Sequence, residues 1–99
     1  MLKINRNIEG STAYYALEGR LDAISSPVFD QDLEEHLIGI TNLVLDVARL
    51  EYISSAGMRT LVHAEYLMNE KGRIKVVNVS PVLMELFEAT GFTEILTFE

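Results

Sequence analysis

The chain contains no cysteine, which excludes disulfide bridges, thiolate metal sites and thiol catalysis together. Basic residues are scarce as well, eight against fifteen acids for a formal charge of −7. Nucleic-acid binding draws on clustered lysine and arginine, and no such cluster occurs. No apolar run approaches the roughly 20 residues of a membrane span. Met1 to Arg6 has neither a long apolar stretch nor a small-residue cleavage site, so no signal peptide is expected. Repeats, low-complexity tracts and linkers are missing too. These absences lead to the expectation of a soluble cytoplasmic protein with neither nucleic acid nor membrane as partner. The acidity serves solubility or a partner with a basic docking face, and composition does not choose between them.

What is present suffices for one domain over residues 1–99. Of its 99 residues, 48% are hydrophobic, enough for one layered core with a modest margin. Two periodicities alternate along it. Leu2, Ile4 and Ile8 share one face of an extended segment, and Thr12 to Glu18 follows after Glu9-Gly10, a pair of strands joined by a short turn. Gly19 is expected to close the second strand. Both prolines follow a serine, and Ser26-Pro27 and Ser80-Pro81 each read as a helix start, with serine as N-cap and proline at the first helical position. Phe29, Leu33, Leu37 and Ile40 form the first apolar stripe, with Asp30 early in the helix and Gly39 near its end. Leu43 to Val47 is a continuous apolar run carrying one acid, Asp46, as in a strand buried on both faces. The spacing predicts a second helix from about Ser54 to Lys71, with Leu61, Ala64 and Met68 inward and Gly72 as terminator. Ile74 to Val79 is a further strand. Leu83, Leu86, Phe87 and Thr90 stripe a third helix stopped by Gly91, and Ile95 to Phe98 is a short last strand. The order β-β-α-β-α-β-α-β implies an α/β domain with a mixed, mostly parallel sheet packed by helices, because parallel neighbours need crossovers. The first hairpin supplies an antiparallel edge.

The segment with most chemical potential is Leu50 to Arg59, L-E-Y-I-S-S-A-G-M-R, a strand-to-helix turn with two serines and a glycine. The first amides of a helix lack internal partners, and with the helix dipole they favour an anion at that spot. A phosphate on a serine there would have part of its charge offset, and Arg59, one turn on, could add a charge-assisted contact. A serine at a helix start is more often a plain N-cap, worth roughly 1 kcal/mol.

Tyr52-Ile53-Ser54-Ser55-Ala56-Gly57-Met58 resembles the signature of bacterial anti-sigma factor antagonists of the STAS domain family. Gly19-Arg20-Leu21-Asp22-Ala23 is similar to that family's Gly-Glu-Leu-Asp-Ala segment, and Val44-Leu45-Asp46 to its Val-Leu-Asp strand. Asn78-Val79-Ser80-Pro81 and Leu86-Phe87-Glu88-Ala89-Thr90-Gly91-Phe92 resemble its third-helix region. Each piece is weak alone; the ordered set spans nearly the whole chain. The resemblance implies a non-enzymatic regulator without cofactor, phosphorylated on Ser55. Its partners would be an anti-sigma factor with ATP-dependent serine kinase activity and a serine phosphatase. It implies a partner surface of Asp22, Ser54, Ser55, Ala56, Gly57, Met58 and Arg59. Two positions depart from the family pattern. Ser54 stands where aspartate is usual, making it a second candidate acceptor, and Arg20 replaces the glutamate. A non-switching scaffold of the same fold is the alternative function.

Other chemistries find less support. Asp22 and Asp46 could be read as a carboxylate pair, but Asp46 is better read as bracing the loop before Ser55 through backbone amides. A serine hydrolase using His36 or His63 lacks the first glycine of its elbow, since Ile53 stands there. No ligand spacing for a metal occurs, and no Gly-rich phosphate loop follows a strand. Met58, Met68 and Met84 read as core.

Overall fold

The computed structural model describes residues 1–68 and 72–99. Its elements are strands β1 (Leu2–Glu9), β2 (Thr12–Leu21), β3 (Asn42–Ile53), β4 (Arg73–Val77) and β5 (Thr97–Phe98), with helices α1 (Ser26–His36), α2 (Ser55–Met68) and α3 (Pro81–Ala89). A single 3-10 turn, Phe92–Glu94, precedes β5. The expected last turn of α2, as far as Lys71, falls outside the described residues.

The sheet runs in sequence order from β1 to β5, with β1 antiparallel to β2 and every later pair parallel. That order has a consequence for the layers. Each parallel connection is a right-handed crossover, and the chain never reverses its direction across the sheet. All three helices therefore lie on one face. Tyr15, Leu17, Leu43, Leu45 and Val76 point into that layer and are at most 1% exposed. They meet Phe29 and Leu33 of α1, Leu61, Ala64 and Met68 of α2, and Leu83 and Phe87 of α3. Ring contacts join Tyr15 to Phe29 at 5.7 Å and Phe87 to Phe98 at 5.0 Å.

The opposite face is bare. Tyr14, Val44, Asp46, Lys75 and Val77 alternate with the core positions and are half-buried or exposed. The β3 run therefore is not buried on both faces as its composition suggested: sequential winding leaves no helix to cover the second one. Because strand order does not reverse, there is also no switch-point crevice of the kind in which doubly wound sheets hold ligands.

Other differences have local causes. Strand β2 does not close at Gly19. It continues to Leu21 through register shifts at Ala16/Glu18 and Gly19/Arg20, with Gly19 at φ +104° where a Cβ would strike the Met1 carbonyl. Strand β3 extends past the apolar run to Ile53 because its pairing with β2 persists to Leu21↔Ile53. Strand β4 stops at Val77, before Asn78 at φ +61°. The N-cap of α1 is Ser25 rather than Ser26. In α3, Ser80 caps as expected, accepting from the Leu83 amide at 3.3 Å, and Gly91 follows at φ +79°. Thr90 is exposed, its hydroxyl turned back onto the Leu86 carbonyl at 2.8 Å, so it lies off the buried stripe.

Candidate functional site

Parallel strands followed by helices bring the N-termini of α1, α2 and α3 to the same, carboxyl edge of the sheet. The turn after β2 and the turn after β3 are neighbours there. Arg20 pairs with Tyr52 and Leu21 with Ile53, and the Ser54 amide donates to the Leu21 carbonyl at 2.9 Å. Gly57 makes the closeness possible. A Cβ on it would lie 2.6 Å from the Leu21 carbonyl oxygen and 2.8 Å from Ile53 Cγ1, so any larger residue would push the two turns apart.

The two serines of the second turn have different surroundings. Ser54 is the cap: its Oγ accepts from the Gly57 amide at 3.2 Å and its carbonyl from the Met58 amide at 2.9 Å. It is half-buried. Ser55 begins α2 and is exposed, and its hydroxyl has no hydrogen-bond partner among the described residues. The amides of Ser55 and Ala56 likewise have no acceptor among them, as the opening of a helix dictates. Arg59 lies four residues on, on the same exposed strip of α2, and has no ion-pair partner among the described residues. An anion on Ser55 would meet unpaired amides, the positive helix end and, at i,i+4, a guanidinium.

The neighbouring turn is closed upon itself. Asp22 Oδ1 accepts from the amides of Ile24 and Ser25, both at 3.1 Å, and from the Ser25 hydroxyl at 3.2 Å. In return, Ser25 Oγ accepts from the Asp22 amide at 2.9 Å and donates to the Arg20 carbonyl at 2.8 Å. Ser26 Oγ donates to the Asp22 carbonyl. These bonds, the Ser25 amide first, hold the Asp22 carboxyl below its ordinary range. Asp22 thus shapes the turn beside Ser55. Asp and Ser three residues apart in a turn exchange side-chain bonds with each other's backbone amides, and that spacing is the signal from which Ser25 could have been found.

Of the remaining positions with an expected role, Ala56 is half-buried, while Gly57 and Met58 are buried and support the surface from beneath. Exposed apolar side chains occur on the adjoining elements: Ile24 at 86% in the turn after β2, Val28 at 62% in α1 and Tyr52 at 41% near the end of β3. Asp46 does not brace the Ser55 loop. It lies mid-strand, where Oδ1 accepts from the Ala48 amide at 3.0 Å and from Asn78 Nδ2 at 3.1 Å, holding the irregular stretch of β3 against the end of β4. Asp22 and Asp46 share no partner.

The histidines serve the helix layer. His63 links α2 to α1, with Nδ1 3.0 Å from Asp30 and Nε2 3.3 Å from Glu34. His36 contacts Asp32, which also binds Arg6 through both oxygens and the Tyr15 hydroxyl at 2.6 Å. Burial, then that hydrogen bond, pushes the Tyr15 hydroxyl above its ordinary range. Of the two expected core methionines beyond Met58, Met68 is buried and Met84 half-buried. Three shallow cavities of about 540, 370 and 300 Å³ are lined mainly by sheet residues, and Ser54, Ser55 and Asp22 line none of them. Ser55 is exposed at the surface and does not line these three cavities. Among the described residues no group of three or more His, Asp or Glu could hold a metal, and no helix is long and apolar enough to cross a membrane.

The family described as "Mlab, STAS domain" matches residues 4–97. A Bordetella bronchiseptica protein named as an anti-sigma factor antagonist, BtrV, is 33% identical over 81 residues, covering 80% of this chain and 70% of that one. The chain belongs to the STAS domain family. In fold it is similar to an anti-sigma factor antagonist from Mycobacterium paratuberculosis, with a TM-score of 0.89 at 16% identity over 99% of this chain and 85% of that one. It is also similar to the Bacillus cell fate determinant SpoIIAA in its phosphorylated form, with a TM-score of 0.78 at 17% identity over 98% and 91%.

Proposed function

We propose that this chain is an anti-sigma factor antagonist that works by partner switching. Unmodified, the surface around Ser55 docks onto an anti-sigma factor with ATP-dependent serine kinase activity and releases the sigma factor. That partner then phosphorylates Ser55, and a serine phosphatase resets it. The observation that carries this reading is the Ser55 hydroxyl, exposed and without a partner at the start of α2, beside a Ser54 hydroxyl already taken up in capping. Kinship with BtrV and the fold shared with a protein known in a phosphorylated form support it.

The chain itself need only offer a positioned hydroxyl, since the kinase supplies nucleotide, metal and base. One phosphoryl group adds up to two negative charges, by the ordinary phosphate pKa, at the centre of a docking face. Repulsion and lost packing there cost several kcal/mol, and about 1.4 kcal/mol already shifts affinity tenfold. Ser55→Ala should bind the anti-sigma factor as tightly as wild type, and Ser55→Asp about 100-fold more weakly, measured by titration calorimetry. Ser55→Asp binding like wild type would leave the scaffold function instead.

A further inference from the structure

We propose that Arg20 is a docking contact for a carboxylate on the protein that binds the Ser55 surface; the inference rests on the function proposed above. The Arg20 guanidinium carbon lies 4.2 Å from the centroid of the Tyr52 ring, and the side chain is 52% exposed. Its closest acid, Asp22, is 3.9 Å from Nε, and the guanidinium makes no hydrogen bond among the described residues. A guanidinium carries five N–H donors in a rigid fork that fits a carboxylate with two parallel bonds. A free surface arginine must be frozen when it binds, and that ordering weakens the contact. Here stacking on Tyr52, itself fixed by strand pairing, has already restricted it.

The surroundings select among anions. Asp22 stands on one side of the guanidinium, so a dianion such as phosphate meets repulsion that a planar monoanion meets less. The half-exposed Tyr52 ring beneath the guanidinium matches a protein partner better than a free ion. On a chain of charge −7, the half-exposed Arg20 guanidinium is a point of opposite sign at the end of β2, next to the turn that precedes α2. An acidic side chain on the partner complements that sign and sets which regulator is accepted.

The test has two arms. In the first, the purified cognate anti-sigma factor is titrated with wild type, Arg20→Glu, Arg20→Lys and Tyr52→Leu, while Ser55 phosphorylation of the wild type is followed by intact mass. Arg20→Glu should lose about 100-fold in affinity, and Arg20→Lys and Tyr52→Leu about tenfold. Wild-type binding with Arg20→Glu within threefold of it overturns the inference and leaves the proposed function standing. A wild type that neither binds nor becomes phosphorylated overturns the function itself. The second arm needs no partner. The Nε–H resonance of Arg20 is followed by NMR while the isolated chain is titrated with an acetylated Asp-Glu peptide or with inorganic phosphate. The peptide should move Arg20, leave the ion-paired Arg6 in place, and act at lower concentration than phosphate. No movement, or phosphate acting equally well, overturns the inference.

Discussion

The turn after β2 and the turn after β3 use the same material, serines at the start of a helix on the same sheet edge, and put it to opposite ends. In the first turn Ser25 and Ser26 are buried, and both hydroxyls are bonded to the Asp22 turn or the end of β2. In the second, Ser54 does the capping and Ser55 is left over. A helix start needs one side-chain oxygen to satisfy its N2 or N3 amide. A second serine without an acid to bond is surplus to folding, and its hydroxyl is left exposed and unbonded among the described residues. The closed turn and the open turn are also mechanically joined, through the Ser54 amide on the Leu21 carbonyl and the glycine contact beneath it.

The most damaging way to break this arrangement is Gly57→Ala. The added Cβ has backbone and core side chain within 3 Å, so the two turns must separate. The expected cost is about 3 kcal/mol, at the upper end for overpacking, seen as a fall of roughly 12 °C or more in the thermal midpoint. Next comes Ser25→Ala, which leaves the Asp22 amide and the Arg20 carbonyl without their partner in a part-buried turn. About 2 kcal/mol should be lost in urea unfolding. Ser54→Ala removes one cap and should cost about 1 kcal/mol. Ser55→Ala, an exposed position with no bond to lose, should stay within about 0.5 kcal/mol of wild type. If Ser55→Ala destabilised more than Ser54→Ala, the assignment of the two serines would be reversed.

The smallest effect is electrostatic. Because the folded state holds the Asp22 carboxyl below its ordinary value, the unfolded chain takes up that proton first as pH falls. The stabilisation is complete above about pH 4, the unfolded value, and is lost as pH falls through the folded one. Asp22→Asn should flatten that part of the acid limb in a pH series of unfolding curves. A limb as steep as wild type would place the turn's stability elsewhere.

Much of this was legible in the chain. Ser-Pro pairs announced α1 and α3, glycines marked the ends of α1 and α3, and apolar periodicity gave the stripes through Phe29, Leu33, Leu61 and Leu83. Local chemistry decides those features, so local reading reaches them. The larger misread features depend on partners distant in sequence. Strand β2 passes through Gly19 because β1 and β3 hold it on both sides there, and β3 carries Arg49 and Glu51 to Ile53 through its pairing with β2 alone. Asp46 bonds to Asn78, 32 residues away. The bare sheet face follows from strand order, which no single segment encodes. At the site, the Gly57 requirement was visible as a glycine in a helix start, whereas the inequality of Ser54 and Ser55 appears only when their oxygens are located.

The most direct measurement is intact-mass and peptide-mapping analysis of wild type, Ser54→Ala and Ser55→Ala after incubation with the cognate anti-sigma factor kinase and ATP. Wild type and Ser54→Ala should each gain one phosphate, on Ser55, and Ser55→Ala none. A phosphate mapped to Ser54 or persisting in Ser55→Ala would contradict the account.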